Sequence, residues 1–333
     1  MKKTVSTLLL ALTLVVGSTA ATSCGVGGHT VVVRPSSRYV TQRVNLTYVN
    51  AITTSSSVDV IYHQTTGAPY AEIYAPDNVA PYIKVEQSGQ QLNVGIRHKD
   101  GNGLSIQGKC DLEVRVYAPE VTSFTSQSSG DIHIKGPLKT SQRLRLSANS
   151  SGDIDALSIE CGEADFRAQS SGDIEIEHLV CAGGHLKAAS SGDCEVKRLT
   201  SNGNLSIGTG SSGDCKIERL DCAGTLSVHA ASSGDCKIDQ LRCSGDVTAA
   251  TSSSADIYLS GTCRNADLSA SSAGSIFAKD LQAVDVNASV SSAGSIECWP
   301  SGTLSTSVSS GGEIRYKGQP KNITGKIRGV RPL

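Results

Sequence analysis

The stretch Ser211–Asp239, SSGDCKIERLDCAGTLSVHAASSGDCKID, contains the tetrapeptide Ser-Ser-Gly-Asp twice, each time followed by Cys-Lys-Ile. Degenerate copies of the tetrapeptide follow the complete ones, and successive copies lie 18 to 22 residues apart. This spacing indicates a repeat protein in which each copy is one structural unit. The complete copies end at Asp131, Asp153, Asp173, Asp193, Asp214 and Asp235, and the degenerate copies end at Asp256, Ser275, Ser295 and Glu313.

Apolar and polar residues alternate within each unit, as in Ile174, Glu175, Ile176 and Glu177. A period of two predicts a β-strand. A second turn with Gly or Asn follows, and then a second strand such as HLKAAS or NLSIGT. One unit is therefore strand, turn, strand, turn, which is one coil of a solenoid whose identical positions stack ~4.8 Å apart.

We therefore predict an all-β fold, a parallel β-helix of about ten coils of ~20 residues each. A leucine-rich repeat is excluded because its leucine pattern is absent, and helical repeats are excluded by the period of two. An antiparallel meander with Ser-Ser-Gly-Asp as a hairpin turn is the alternative, but it explains the identical columns less well.

The chain divides into a leader, a β-rich part, the repeats and a tail. In the β-rich part, Ser56–Val60 (SSVDV) is a diverged first copy, and Ser88 and Gly89 mark a hairpin. The tail breaks the repeat and is placed to cover the edge of the last coil. The predicted segments are a signal peptide (1–23), a flexible tether (24–40), an irregular β-rich part continuous with the solenoid (41–127), regular coils (128–318) and a cap (319–333).

The first residues indicate export. Lys2 and Lys3 precede an apolar run that is too short to span a bilayer. The following ATSC resembles a bacterial lipobox, so Cys24 is the predicted lipid attachment site that anchors the protein to a membrane, the outer membrane in our interpretation. Its periplasmic or cell-surface side stays open. The alternative is ordinary cleavage after Ala20 or Ala21.

The repeat also suggests structural roles for its small residues. Gly is expected to supply the positive φ of the corner, and Ser and Asp to satisfy backbone groups. Cys194, Cys215 and Cys236 replace Ile in an inward column. A second cysteine column has no assigned direction, and we expect most of these thiols to be reduced because parallel Cβ vectors disfavour a disulfide. That column is Cys161, Cys181, Cys222, Cys243 and Cys263.

The aspartates form a column that invites a chemical interpretation. Neighbours at ~4.8 Å resemble the carboxylate pair of a retaining glycosidase. A catalytic pair needs two different environments, however, and a periodic column provides only one, so we expect no enzymatic activity. We expect no cofactor; the alternative is calcium, which would relieve the repulsion between the carboxylates. The candidate weak cation-binding column is Asp131, Asp153, Asp173, Asp193, Asp214, Asp235 and Asp256.

A second candidate site consists of outward aromatic residues on the last coils. Tyr258, Phe277 and Trp299 lie on a surface that is otherwise charged or small, and exposed aromatic side chains are typical of binding patches. A carbohydrate or a surface protein is the expected ligand. Nucleic acid is disfavoured as a partner because 30 basic residues balance 31 acidic ones. The alternative is that these rings only shield the coils or pack against another copy.

Several motifs together resemble a known family. SSVDVIYHQ, a hairpin ending in QLNVGI, LEVRVYAPEVTSF, the Ser/Gly/Asp coils and a final YKGQP are similar to the head-GIN-domain family of auto-transporter adhesins over residues 42–325. The resemblance implies a β-helix-like fold and an exported bacterial lipoprotein, with no established catalytic residues. The expected function is non-catalytic adhesion at the cell envelope. The alternatives are a purely structural envelope role and a polysaccharide-active β-helix enzyme.

Overall fold

The computed structural model describes residues 30–97 and 104–333. The signal peptide and the first residues of the tether, 24–29 with Cys24, lie outside these ranges. In the described ranges the chain forms β-strands and one short 3-10 helix, Ala80–Tyr82, and no α-helix. None of this part of the chain is a helix with the length and hydropathy needed to cross a membrane.

The strands fall into a non-repeating group, a repeating group and a terminal pair. The non-repeating strands are β1 (Val31–Val33), β2 (Tyr39–Asn45), β3 (Ala51–Thr54), β4 (Asp59–Gln64), β5 (Tyr70–Pro76), β6 (Ile83–Ser88), β7 (Gln91–Ile96), β8 (Leu104–Ile106), β9 (Glu113–Ala118) and β10 (Ser123–Ser126). The repeating strands are β11 (Ile132–Lys139), β12 (Arg143–Ala148), β13 (Ile154–Cys161), β14 (Glu163–Ser170), β15 (Ile174–Cys181), β16 (Gly184–Ser190), β17 (Cys194–Ser201), β18 (Leu205–Ser211), β19 (Cys215–Cys222), β20 (Leu226–Ala230), β21 (Cys236–Cys243), β22 (Val247–Thr251), β23 (Asp256–Thr262), β24 (Asn265–Ala270), β25 (Ser275–Ala283), β26 (Asp285–Val290), β27 (Ser295–Pro300), β28 (Thr303–Val308) and β29 (Glu313–Tyr316). The terminal pair is β30 (Asn322–Gly325) and β31 (Val330–Pro332).

Two long sheets run the length of the molecule, and each coil contributes one strand to each. The first sheet has the order β2-β5-β9-β4-β11 and then every odd-numbered strand to β31. The second has the order β30-β28 and then every even-numbered strand to β10, followed by β3-β7-β6. Neighbouring coils pair in parallel, and Cys194, Cys215 and Cys236 lie in register. The prediction of a parallel β-solenoid of about ten coils is confirmed, and the antiparallel meander is excluded.

The non-repeating strands extend both sheets and then close them with antiparallel pairs. Val60 of β4 pairs with Ile132, and Ser56 has the corner conformation of the later repeats, so the diverged first copy is confirmed. The predicted hairpin around Ser88 and Gly89 is the antiparallel pair β6–β7. On the first sheet, β5 runs antiparallel to both β9 and β2.

Each long strand of the first sheet bends once. In β17 the alternation of buried and exposed residues is interrupted by two consecutive exposed residues, Lys197 and Arg198. Leu199 is buried again, so the second half of the strand turns its inward face back to the core. Two outward residues in succession therefore mark a corner of the coil between Val196 and Leu199.

Single residue types line the interior in stacked columns, because the coils repeat in register. The residue that follows the last position of the tetrapeptide is fully buried in all ten copies, as predicted. The second cysteine column, whose direction was open, also points inward, with Ser201 between Cys181 and Cys222. All ten cysteines in the described ranges are free thiols. Burial raises the pKa of Cys161 and Cys263 to about 12, so these thiols are protonated at neutral pH and behave as apolar filling.

The corner differs from its prediction. Glycine was expected to supply the positive φ, but the first serine of the tetrapeptide does so, for example Ser190 at 64°. Gly192 has no positive φ and is required for a different reason. A Cβ on Gly192 would lie 2.7 Å from the carbonyl oxygen of Gly172 and 2.6 Å from the amide nitrogen of Gln169. The prediction was wrong because contact between coils, rather than backbone conformation, determines the position of the glycine.

Candidate functional site

The aspartate column forms a hydrogen-bond ladder along one corner of the solenoid. The Asp214 N–H donates to Oδ1 of Asp193 at 2.8 Å, and the Asp235 N–H donates to Oδ1 of Asp214 at 2.8 Å. The ladder starts one coil earlier than expected, because the Asp131 N–H donates to Asp59 at 3.0 Å. Each carboxylate thus binds the backbone of the next coil. The same contact links Asp131 to Asp153, Asp153 to Asp173, Asp173 to Asp193, and Asp235 to Asp256.

The electrostatics of this column follow from its partial burial. Desolvation raises the pKa of Asp193 and of Asp235, and a backbone N–H hydrogen bond opposes the shift in each case. Neighbouring carboxylates add to the rise by repulsion. Within residues 30–97 and 104–333, no group of three or more His, Cys, Asp and Glu side chains is arranged to hold a metal ion.

The three candidate aromatic residues on the last coils do not form one patch. The rings of Tyr258 and Phe277 stack with centroids 4.8 Å apart and planes 11° from parallel. The residue in register with Phe277 on the next coil is Glu297. Trp299 pairs with Gln282 beyond the corner, and the Lys317 ammonium lies 4.4 Å from its ring centroid. The structure therefore brings together Tyr258 and Phe277 and separates Trp299 from them.

Glu297 continues the column of Tyr258 and Phe277 as a buried ion pair. Its side chain is only 8% exposed and lies 3.1 Å from Arg315 and 3.5 Å from Lys279. A carboxylate that is buried needs such partners to remain charged. The aromatic pair is thus bounded on this side by a charged network that belongs to the packing of the last coils.

A larger aromatic surface lies at the other end of the first sheet, where sequence analysis placed no site. Tyr70 and Tyr117 stack at 4.6 Å, and His63 stacks on Tyr117 at 4.9 Å. The guanidinium of Arg43 covers the ring of Tyr70 at 3.6 Å. This row crosses four adjacent strands, β2, β5, β9 and β4, on the outward side of the sheet.

A second row of the same surface runs beside the first. Tyr39 stacks on Tyr74 at 4.9 Å, and Arg115 lies 4.6 Å from the ring centroid of Tyr74. The Tyr39 hydroxyl accepts a hydrogen bond from the Asp111 N–H at 3.1 Å. All these rings are half-buried. The two rows together form the N-terminal aromatic face, which consists of Tyr39, Arg43, His63, Tyr70, Tyr74, Arg115 and Tyr117.

Part of this face could have been found from sequence. In YAEIYAP and EVRVYAP the tyrosines Tyr70, Tyr74 and Tyr117 occupy the outward positions of an alternating pattern. Their convergence could not, because β5 reaches β9 through antiparallel pairing that no repeat predicts.

A shallow groove of about 550 Å³ lies on the outer side of the early coils and contains several acidic residues. Its cluster of acids is the feature to compare with the acidic face of a polysaccharide-cleaving β-helix. Three of its acids contact basic side chains: Asp155 contacts His133, Glu177 contacts Lys197 and Glu195 contacts Lys216.

Fold and surface together define a class of protein, the parallel β-solenoid with an aspartate ladder and outward aromatic residues. The chain belongs to the family described as "Putative auto-transporter adhesin, head GIN domain", whose model matches residues 49–238 and 186–320. The family resemblance seen in the sequence is thereby confirmed. The description of the family is that of an exported or surface protein.

The chain also has similarity to solved structures. The chain is similar to a putative adhesin from Parabacteroides merdae, with 16% identity, a TM-score of 0.36, and coverage of 90% of this chain and 96% of that chain. It is also similar to a putative adhesin from Bacteroides fragilis, with 20% identity, a TM-score of 0.30, and coverage of 90% and 95%. A third, a putative adhesin from Parabacteroides distasonis, has 17% identity, a TM-score of 0.32, and coverage of 90% and 99%. No curated protein matches the sequence.

Proposed function

We propose that this protein is a non-catalytic adhesion protein of the bacterial cell envelope. In this proposal a lipid on Cys24 anchors it to the outer membrane, and the solenoid presents a rigid binding surface to a protein or a carbohydrate. Membership of a family described as adhesins supports the binding role. A solenoid fold supports it as well, because stacked coils hold surface side chains at fixed spacing.

The observation that carries the proposal is the N-terminal aromatic face. Tyrosine and arginine are enriched among the residues that dominate the energy of protein interfaces. Here they are concentrated on one outward surface, whereas the outer faces of the regular coils carry mainly charged and small residues. The rings cover one another, so ring edges, hydroxyls and guanidinium groups remain for a partner. That chemistry fits a protein surface better than a sugar stacked on a free ring face.

Tyr258, Phe277 and Trp299 remain the second candidate ligand-binding site. Tyr258 is 37% exposed and supports a role in contact with a ligand. The stacking of Tyr258 on Phe277 and the lysine over Trp299 leave fewer free ring faces than a carbohydrate site would use. We therefore rank this site below the N-terminal aromatic face.

Calcium binding by the aspartate column is the weaker part of the proposal. One oxygen of each carboxylate from Asp59 to Asp235 already accepts a backbone N–H. The second oxygen is left to contact a cation, and calcium favours such oxygen ligands. A polysaccharide-active enzyme is less well supported, since the column gives its acids the same hydrogen-bond partner and catalytic acids need different environments.

The test is a binding screen of the purified protein against matrix proteins and glycans, with and without calcium. Three variants are compared with the unmodified protein, and circular dichroism checks that each is folded. They are Tyr70→Ala/Tyr117→Ala on the N-terminal aromatic face, Tyr258→Ala/Phe277→Ala/Trp299→Ala on the last coils, and the control Leu157→Ala/Val180→Ala, which removes exposed apolar side chains elsewhere.

We expect binding to a protein ligand that is lost in the first variant and retained in the control. Loss of binding in the triple variant alone would indicate that the site lies on the last coils. Binding by the unmodified protein that requires calcium would indicate the aspartate column instead. Binding that survives all three variants would contradict both aromatic sites. If nothing on either array binds, a purely structural envelope role becomes the better account.

A further inference from the structure

The last coil of the solenoid is shorter than the coil before it. Thr306 pairs with Gly325 and Ile314 pairs with Val330. The chain therefore passes from Gly325 to Val330 in 5 residues, where the preceding coil uses 8 from Thr306 to Ile314. No complete corner covers the segment Ser309–Gly312, although every earlier corner from Ser150 onward is covered by the next.

At this uncovered corner a backbone N–H, that of Gly311, points towards the C-terminal end of the solenoid. The carbonyl oxygen of Ser310 accepts a hydrogen bond from the Ala293 N–H of the preceding coil at 3.3 Å. In a planar trans peptide the C=O and the following N–H point to opposite sides. The Gly311 N–H therefore points away from the preceding coil, towards the C-terminal end. It has no hydrogen-bond partner among the residues that the structure describes.

Positive charge surrounds this donor. Gly311 lines a cleft of about 970 Å³ together with Lys326 and Arg328. Neither side chain has an ion-pair partner in residues 30–97 or 104–333, whereas the nearby Lys317 and Arg331 are paired with acids. Residues 314–333 contain no Asp or Glu. The cleft thus combines two uncompensated cations with a free backbone N–H, and Ser309 and Ser310 also line it.

We propose that this cleft binds a phosphoryl group. Phosphate oxygens accept hydrogen bonds from backbone N–H groups, from Lys and from Arg, and charge-assisted bonds of this kind are the strong ones. Ile327, 69% exposed between the two cations, would lie next to the acyl region if the phosphoryl group belonged to a lipid. The site is independent of the aromatic surfaces and of the proposed adhesion.

The experiment follows the amide signal of Gly311 by NMR in the purified, isotope-labelled protein during titration with inorganic phosphate. A second arm measures sedimentation with vesicles of phosphatidylglycerol, with phosphatidylcholine vesicles as the uncharged comparison. The variant Lys326→Gln/Arg328→Gln removes the two cations. The variant Lys187→Gln/Arg198→Gln removes one Lys and one Arg from exposed positions on the middle coils and is the matched control.

We expect a saturable downfield shift of the Gly311 amide and roughly tenfold or greater loss of affinity in Lys326→Gln/Arg328→Gln, with no loss in the control. A response to phosphate identifies a soluble phosphoryl ligand, and a response to phosphatidylglycerol alone identifies a lipid headgroup. The proposal is overturned if phosphate does not shift the Gly311 amide and the protein does not sediment with phosphatidylglycerol vesicles. It is equally overturned if the control loses as much affinity as the cleft variant, because the attraction would then be only general charge.

Discussion

At the scale of single residues, the aspartate of each complete repeat replaces a backbone acceptor. In the coils after Asp256 the corresponding N–H donates to a carbonyl of the preceding coil, as from Ser275 to Ala255 at 3.2 Å and from Ser295 to Gly274 at 3.1 Å. In the complete coils the same N–H donates to a carboxylate. The tetrapeptide is therefore explained first by the hydrogen bonds of its corner. A bound cation could contact only the carboxylate oxygens that accept no backbone N–H.

Replacing Asp214 with alanine tests the ladder. Asp214→Ala removes the acceptor of the Asp235 N–H, so we expect a loss of about 1 kcal/mol in unfolding free energy. Asp214→Asn keeps an oxygen at the same place and should lose less. Urea unfolding at neutral pH measures both. Glu218→Ala, which removes an exposed acid outside the ladder, is the control, and an equal loss there would show that charge rather than the hydrogen bond matters.

His133 makes stability depend on pH. Its imidazole contacts the carboxylate of Asp155, which raises the pKa of His133 above the ordinary value of 6.5. The folded state therefore holds this proton more tightly than the unfolded state. The resulting stabilisation is fully present below pH 6.5 and is lost as the pH rises through the raised folded pKa.

We expect the unfolding free energy to fall between about pH 6 and about pH 8, and this fall to be smaller in His133→Gln. Urea titrations at the two pH values provide the measurement. His229→Gln, on an exposed position of another coil, serves as the control. A pH dependence identical in the unmodified protein and His133→Gln would contradict the assignment.

At the scale of one element, the corner shows why a general rule for glycine gave the wrong residue. Sequence rules assign positive φ to Gly because it lacks a Cβ. Here the coils approach so closely at Gly192 that the absence of a Cβ is needed for contact, and the serine takes the strained conformation instead. The distance between coils is a tertiary property, so it could not be read from one repeat.

Two glycines of the same region make a matched pair for this explanation. Gly192→Ala places a Cβ against the backbone of the preceding coil and should destabilise the protein by about 2 kcal/mol. Gly208→Ala, in β18, meets no atom within 4 Å and should leave stability unchanged or raise it. Thermal unfolding followed by circular dichroism compares the two, and similar losses would refute the close-contact explanation.

The strands themselves were predictable, because alternation and the repeat both follow from the printed sequence. The position of Trp299 was not. Between Phe277 and Gln282 the chain uses five residues to turn the corner, and between their partners Glu297 and Trp299 it uses two. A corner that is shortened in one coil changes the face on which the next outward residue lies. The sequence spacing therefore predicted correctly that Tyr258 and Phe277 are neighbours, but it placed Trp299 on the wrong face one coil later.

At the scale of the whole molecule, a regular array is closed by an irregular end. The prediction of the array rested on ten aligned copies, which average out local exceptions. The N-terminal aromatic face depends on the antiparallel pairing of β5 with β2 and β9. This pairing is not part of the repeat, so the repeated sequence does not indicate it. That is the physical reason why the regular coils were found from sequence and the strongest candidate surface was not.

Removing one whole coil tests how independent the coils are. Deletion of 215–235 joins Asp214 to Cys236, keeps every column in register and should give a folded, shorter and less stable solenoid. Deletion of only the strand Cys215–Cys222 should disrupt folding, because it brings strands of different sheets into register. Far-UV circular dichroism and urea unfolding distinguish the two. Equal disruption by both deletions would contradict the view that neighbouring coils are interchangeable.

The direction of the corner hydrogen bonds has a consequence for how the molecule is made. The Ser212 N–H donates to Ser190 and the Asp214 N–H to Asp193, so these two corner donors find their acceptors on the coil that precedes them in the chain, whereas the Cys215 N–H donates to Asp235 of the coil that follows. A polypeptide leaves the ribosome or a translocation channel with its N-terminal end first. We therefore expect the irregular end to fold first and each finished coil to act as the template for the next, so that this rod assembles in the order in which it is synthesised.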